Sequence, residues 1–127
     1  MLLIYNDPTA MERLSQDEQD KLMADVGGLM EELNANRELV GGDALADASQ
    51  TRTVRVVGGS VATTDGPFVE VKEHLAGYIM VDVPSLERAV EIASRWPDAR
   101  FGAMEVRPVI DTIATDKLVD VEAAAGI

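Results

Sequence analysis

The chain has 127 residues, 46% apolar and 27% charged, which suits one ordinary globular domain with a two-layer core. Eleven basic residues against 23 acidic ones give a net charge of −12, which argues against direct binding to nucleic acid or to an anionic membrane surface. Cysteine is absent and histidine occurs once, so disulfides, thiol chemistry and cysteine-based metal sites are excluded and few soft-metal ligands remain.

The opening run MLLIYN reads as a strand closed by the turn residues Asn6-Asp7-Pro8. It carries no basic region and is too short for a signal peptide, and no apolar run in the chain approaches the roughly 20 residues of a membrane span. A cytoplasmic protein is therefore expected. Ser15 with Glu18 three residues on forms a capping box. After it, Leu22, Val26, Leu29, Met30 and Leu33 recur at helical spacing, which predicts a helix over about 16–39. Gly27-Gly28 interrupts it, a costly pair that points either to close packing on the sheet or to a kink or approaching partner. Gly41-Gly42 is the expected stop.

Strand-like runs follow at 43–49 and 52–58, then the turn Gly58-Gly59 and an extended 60–64. HLAGYIMVDV, 74–83, is the strongest strand. Pro84 stops it, Ser85 caps a second helix, and the expected apolar stripe is Leu86, Ala89, Val90, Ala93 and Trp96. FGAMEVR, 101–107, is the last strand. The domain is expected over 1–110, and the acidic, alanine-rich 111–127 is a tail, either a loose arm or a short helix.

This order predicts an α+β fold, an antiparallel sheet with both helices on one face. Strand alternation sorts the side chains by face. Leu75, Ile79, Val81 and Val83 fall on one face, with Met104 and Val106, under the helices. Tyr78, Met80 and Asp82 fall on the other, where Glu105, Arg107, Phe101, Leu3, Tyr5 and Arg55 join them. That second face is too apolar to stay bare and too polar for a plain core. Two copies packed face to face would cover it, as a barrel-like homodimer. Glu105 and Arg107 are either a simple ion pair or a polar wall that orients a small ligand.

The stretch TTDGPFVEVKEH holds the remaining candidates. An Asp at a turn usually accepts the backbone N–H two residues on, but here that residue is Pro67, which has none. Asp65 is thus held by the turn with its carboxylate uncommitted, either a structural turn residue or an acid–base group. Gly66 precedes proline and is expected to be extended. Glu70, Lys72 and His74 alternate, so an extended segment would put them on one face, as a solvated edge or as a carboxylate and ammonium fit for acid–base work. His74 is the one side chain that ordinarily titrates near neutrality. No GxSxG elbow, P-loop or GxGxxG is present, so the sequence calls for no cofactor and no metal.

TDGPFVEVKEHLAGY, then VDVPSLERAVEIASRWPDARFGAMEVRPV, with MLLIYND and LVGGDAL before them, closely resemble the DGPF-type proteins of the YCII-related family over about residues 1–109. The resemblance implies a ferredoxin-like fold that dimerises into an α+β barrel. Asp65, Gly66, Pro67, Phe68, Glu70, Lys72, Glu73, Tyr78, Glu105, Arg107 and Pro108 match the family pattern residue by residue. Ala76 replaces a more usual Gly. The resemblance also brings an association of some members with extracytoplasmic-function sigma factors. In the wider group a His–Asp pair in a cleft has been proposed as catalytic. That pair does not carry over, because the first long helix has no His and His74 stands where relatives more typically have Gln.

Two functions of different class follow. One is a small-molecule site in the dimer cleft. Asp65 would be its acid–base group, and Tyr5, Glu70, Lys72, Tyr78, Glu105 and Arg107 would bind the ligand, Arg107 holding an anionic part of it. The other is a regulatory or protein-interaction module that meets a basic surface, such as that of a sigma factor, through the acidic charge.

Overall fold

A computed structural model describes residues 1–69 and 71–110. Glu70 and the expected tail 111–127 lie outside the described residues. The elements are β1 (Leu2–Asn6), α1 (Pro8–Glu12), α2 (Gln16–Ala35), β2 (Leu39–Ala44), a 3-10 turn at Ala48–Gln50, β3 (Arg52–Val57), β4 (Ser60–Asp65), β5 (His74–Val81), α3 (Leu86–Arg95), α4 (Asp98–Phe101) and β6 (Gly102–Val106).

Four strands form one antiparallel-paired sheet in the order β2-β5-β1-β6. The units β1-α2-β2 and β5-α3-β6 each return a strand parallel to the one before the helix, which is the ferredoxin-like arrangement. Leu2 lies opposite both Ile79 and Val106, so these share one sheet face. Against Leu2 and Ile79 pack Leu29 and Leu33 of α2, and Ala89, Ile92 and Ala93 of α3. Both helices therefore cover the same face, as the sequence pattern predicts. Leu2, Leu33 and Ile92 are fully buried at its centre.

The caps follow local chemistry. The Glu18 amide donates to Ser15 Oγ at 3.1 Å and the Ser15 amide to Glu18 Oε1 at 3.4 Å, closing the capping box of α2. The Arg88 amide donates to Ser85 Oγ at 3.1 Å at the start of α3. Asp7 accepts from Thr9 and Pro8 takes the first helical position, so the residues read as a turn start the short helix α1.

Several expectations are corrected. α2 ends at Ala35, not near 39, because Arg37 adopts a left-handed φ of 58°. The Glu38 amide donates to the Leu33 carbonyl and the Arg37 amide to the Asn34 carbonyl, a Schellman motif without glycine. Gly41-Gly42 consequently lies inside β2 and not at a helix stop. Gly42 is needed there by space, since a Cβ would come within 2.5 Å of the Tyr78 carbonyl oxygen. On α3 the buried stripe is Ala89, Ile92, Ala93 and Trp96, while Leu86 and Val90 face solvent. A register shift between Ile4 and Tyr5 sets Leu75 opposite Tyr5, so Leu75 leaves the core face. Phe101 ends the helical turn α4 instead of opening the last strand. Gly27 and Gly28 meet nothing within 4 Å of a built Cβ, so close packing on the sheet does not explain them.

β3 and β4 form a separate two-stranded sheet. Gly58 and Gly59 link them at φ 58° and 80°, the positive values that a tight two-residue hairpin turn requires. Arg55 therefore sits on this hairpin and not on the helix-free face of the main sheet, and its guanidinium stacks 5.4 Å from the Phe68 ring centre.

Candidate functional site

The register builds a row across the face of the main sheet opposite α2 and α3. Asp43 lies opposite Tyr78, Tyr78 opposite Leu3, and Leu3 opposite Glu105. Tyr5 follows two residues along β1, opposite Ala103, and Met80 two residues along β5, opposite Gly41. Leu3, Tyr5, Tyr78 and Met80 are half-buried. Tyr78 donates its hydroxyl to Asp43 Oδ2 at 2.5 Å. That bond, then the Asp43 charge and partial desolvation, raises the Tyr78 phenol above its ordinary pKa. Arg107 follows β6 and its amide donates to the Met1 carbonyl at 2.9 Å. Its guanidinium lies 4.0 Å from Glu105, both side chains well exposed, so the ion pair is loose.

The structure thus brings together Tyr5, Tyr78, Glu105 and Arg107, and adds Asp43, which the sequence reading missed. Asp43 was hidden because β2 was expected to begin there, whereas the strand starts four residues earlier.

The other candidates lie elsewhere in the chain. Asp65 ends β4, opposite Arg52, and its Oδ1 is 3.1 Å from Arg52 Nε. The carboxylate expected to be uncommitted is therefore ion-paired, though its side chain stays 87% exposed. Gly66 sits at φ 91°, a left-handed value and not the extended one expected before proline. Residues 71–73 are irregular and β5 starts only at His74, so Lys72 and His74 do not share a strand face. Lys72 acts instead near Asp7, whose carboxyl is held below its ordinary range by the Thr9 hydroxyl and amide, with the charges of Arg13 and Lys72 adding to it.

Among the described residues, two clefts lie near the candidates. The larger, about 660 Å³, wraps the end of the sheet between β5, β6 and the first turn of α3, and includes Met80, Val81, Leu86, Val106 and Arg107. The smaller, about 330 Å³, is lined by Asn6, Asp47 and His74 among others. Asp47 caps the 3-10 turn, and hydrogen bonds from Ser49 hold its carboxyl low, with His74 adding to the shift. Among the described residues no group of three or more His, Asp or Glu is placed to hold a metal ion. No helix of the described residues is long and apolar enough to cross a membrane.

Among the described residues, this fold and the half-polar sheet face left by α2 and α3 define a ferredoxin-like α+β protein. The model of the YCII-related domain matches residues 1–113, and the chain belongs to that family. An uncharacterized protein of Rhizobium meliloti (strain 1021) is 30% identical over 110 residues, which cover 85% of this chain and 89% of that one.

Proposed function

We propose that the chain is a small-molecule-binding protein that works as a homodimer, two open sheet faces meeting as an α+β barrel. The observation that carries this reading is the row Asp43–Tyr78–Leu3–Glu105 on a face that neither long helix covers. Half-buried Leu3, Tyr5 and Met80 gain by exclusion of water, at roughly 25 cal/mol per Å² of apolar surface. The polar groups among them give an enclosed ligand its hydrogen-bonding partners.

In this reading Tyr5 and Tyr78 supply hydroxyls, and Glu105 and Arg107 orient the ligand's charged part. Asp65 is the acid–base candidate of a DGPF-type chain, with Glu70 and Lys72 as binding candidates of the same signature. The hairpin that bears Asp65 makes its extensive contacts within itself. Asp65 would therefore act on a ligand at the open face of a second copy. A cytoplasmic setting suits this function. Native mass spectrometry of the purified protein tests it. The expected result is a dimer with a reproducible added small mass. A monomer would overturn the barrel, and a dimer free of any ligand mass would remove the binding function.

The net charge of −12 favours a second reading, a regulatory module that docks on a basic protein such as an extracytoplasmic-function sigma factor. A pulldown with such a factor, repeated at high salt, decides it: without a salt-sensitive complex the reading falls.

A further inference from the structure

We propose that the cleft of about 660 Å³ at the end of the sheet binds a small molecule with an aliphatic body and an anionic head. The cleft adjoins the open face through Met80 and Arg107, yet it lies within one chain and needs no second copy.

The apolar half of the inference rests on misplaced hydrophobics. Val40 is 60% exposed, Leu86 57%, Val109 41%, and Ile110 fully so, and all four line this one cleft. None has a core role that accounts for it. Leu86 lies off the buried stripe of α3, and Val40 is on the edge strand β2. Val81 and Val106, half-buried members of the core margin, floor the cleft beneath them. Scattered exposed hydrophobics need no explanation, but several converging on one concavity form a binding surface. The volume falls within the range of small-molecule pockets, roughly 300–1,000 Å³.

The head group follows from the charges. Among the described residues of the lining the charged side chains are Arg107 and Asp82, and the Met1 ammonium beside them is engaged by the Arg107 carbonyl at 2.8 Å. The Arg107 guanidinium is 74% exposed and, among the described residues, its ion-pair contact is with Glu105, stretched to 4.0 Å, which leaves the fork accessible to a carboxylate. The Ser85 hydroxyl, also in the lining, already accepts the Arg88 amide hydrogen bond. Asp82 repels an anion from its own side of the cleft. The ligand therefore lies with its head at Arg107 and its chain along Val40, Leu86 and Val109.

Calorimetric titration of the full chain with octanoate and with octan-1-ol tests this. Both should saturate one site per chain, octanoate about tenfold more tightly, as one charge-assisted fork allows. Arg107→Gln should abolish the preference by weakening octanoate about tenfold. Leu86→Glu places an acid in the first turn of α3, where the helix end tolerates it, and should weaken octanoate at least as strongly while the fold persists. Absence of saturable binding, equal affinity of the two probes for the natural chain, or an undiminished preference in Arg107→Gln would each overturn the proposal. Sedimentation velocity on the same samples reads the oligomeric state separately, so loss of the barrel is not mistaken for loss of the cleft.

Discussion

Glu38 holds both forks of Arg88: Nε donates to Oε2 at 2.9 Å and Nη2 to Oε1 at 2.8 Å. Asn36 adds a third donor to Oε1 at 3.1 Å. Glu38 is 8% exposed, and its backbone carbonyl accepts the Asp82 amide just past β5. One residue thus ties the end of α2 to the start of α3 and to the sheet. The pair is the buried, bidentate kind whose breakage leaves an uncompensated charge.

Glu38→Gln should therefore lower Tm more than any exposed-pair change in the chain. The loss should also depend on pH. Hydrogen bonds from Arg88 hold the Glu38 carboxyl below its ordinary pKa despite desolvation. A depressed carboxylate pKa adds stability above the unfolded value, and that stability disappears as pH falls through the folded one. The Tm gap between the natural chain and Glu38→Gln should be full near neutrality and shrink on acidification. A gap that stays constant into acid would show that the charge pair is not its source.

Gly27 and Gly28 give a prediction of opposite sign. They sit mid-helix in α2, and a Cβ at either would meet nothing within 4 Å. Glycine in a helix interior costs about 1 kcal/mol relative to Ala. Gly27→Ala and Gly28→Ala should each stabilise the chain by about that amount in denaturant melts. If either change lowers stability or dissociates an oligomer, another surface approaches α2 there.

How much of this was legible in the sequence depends on which signals were local. The strands β1 and β5, the hairpin turn at Gly58-Gly59 and the N-caps of both long helices depend on neighbours in the chain, and they read correctly. The end of α2 did not, because its left-handed residue is Arg37 and the usual glycine marker is missing. That single miss delayed β2 and concealed Asp43, the partner of Tyr78. Leu75 was misassigned because strict alternation cannot foresee a bulge. The face of Tyr5, Tyr78 and Glu105 needed only alternation and was read as found. The hairpin's separation from the main sheet was not readable, because pairing between strands is set by tertiary contacts that no local pattern encodes.

Asp43 and Tyr78 make a relationship that titration can see. The neutral phenol donates to the carboxylate, so Tyr78 should ionise at higher pH than an ordinary tyrosine. The stability it contributes is present below the ordinary phenol pKa and is lost as pH rises through the raised one. Ultraviolet difference titration should show a late tyrosine step from Tyr78. Asp43→Asn should draw that step down toward the ordinary range, and Tyr78→Phe should delete it. If the late step survives in Tyr78→Phe, Tyr78 is not its source and the hydrogen bond does not govern the phenol.

Asp65 separates backbone from carboxylate. Its ion pair with Arg52 is exposed, at 87% and 60% of the two side chains, and such pairs contribute no more than about 1 kcal/mol. Asp65→Asn keeps the shape of the side chain and should change stability by less than that, with hairpin and fold intact. Gly66→Ala should cost more, about 1–2 kcal/mol, because φ 91° strains any residue with a Cβ. With the fold preserved, Asp65→Asn should still reduce the small mass retained by the dimer in native spectra if the carboxylate meets a ligand. A stability loss in Asp65→Asn as large as that of Gly66→Ala, with the retained mass unchanged, would make Asp65 a turn residue and take it out of the site.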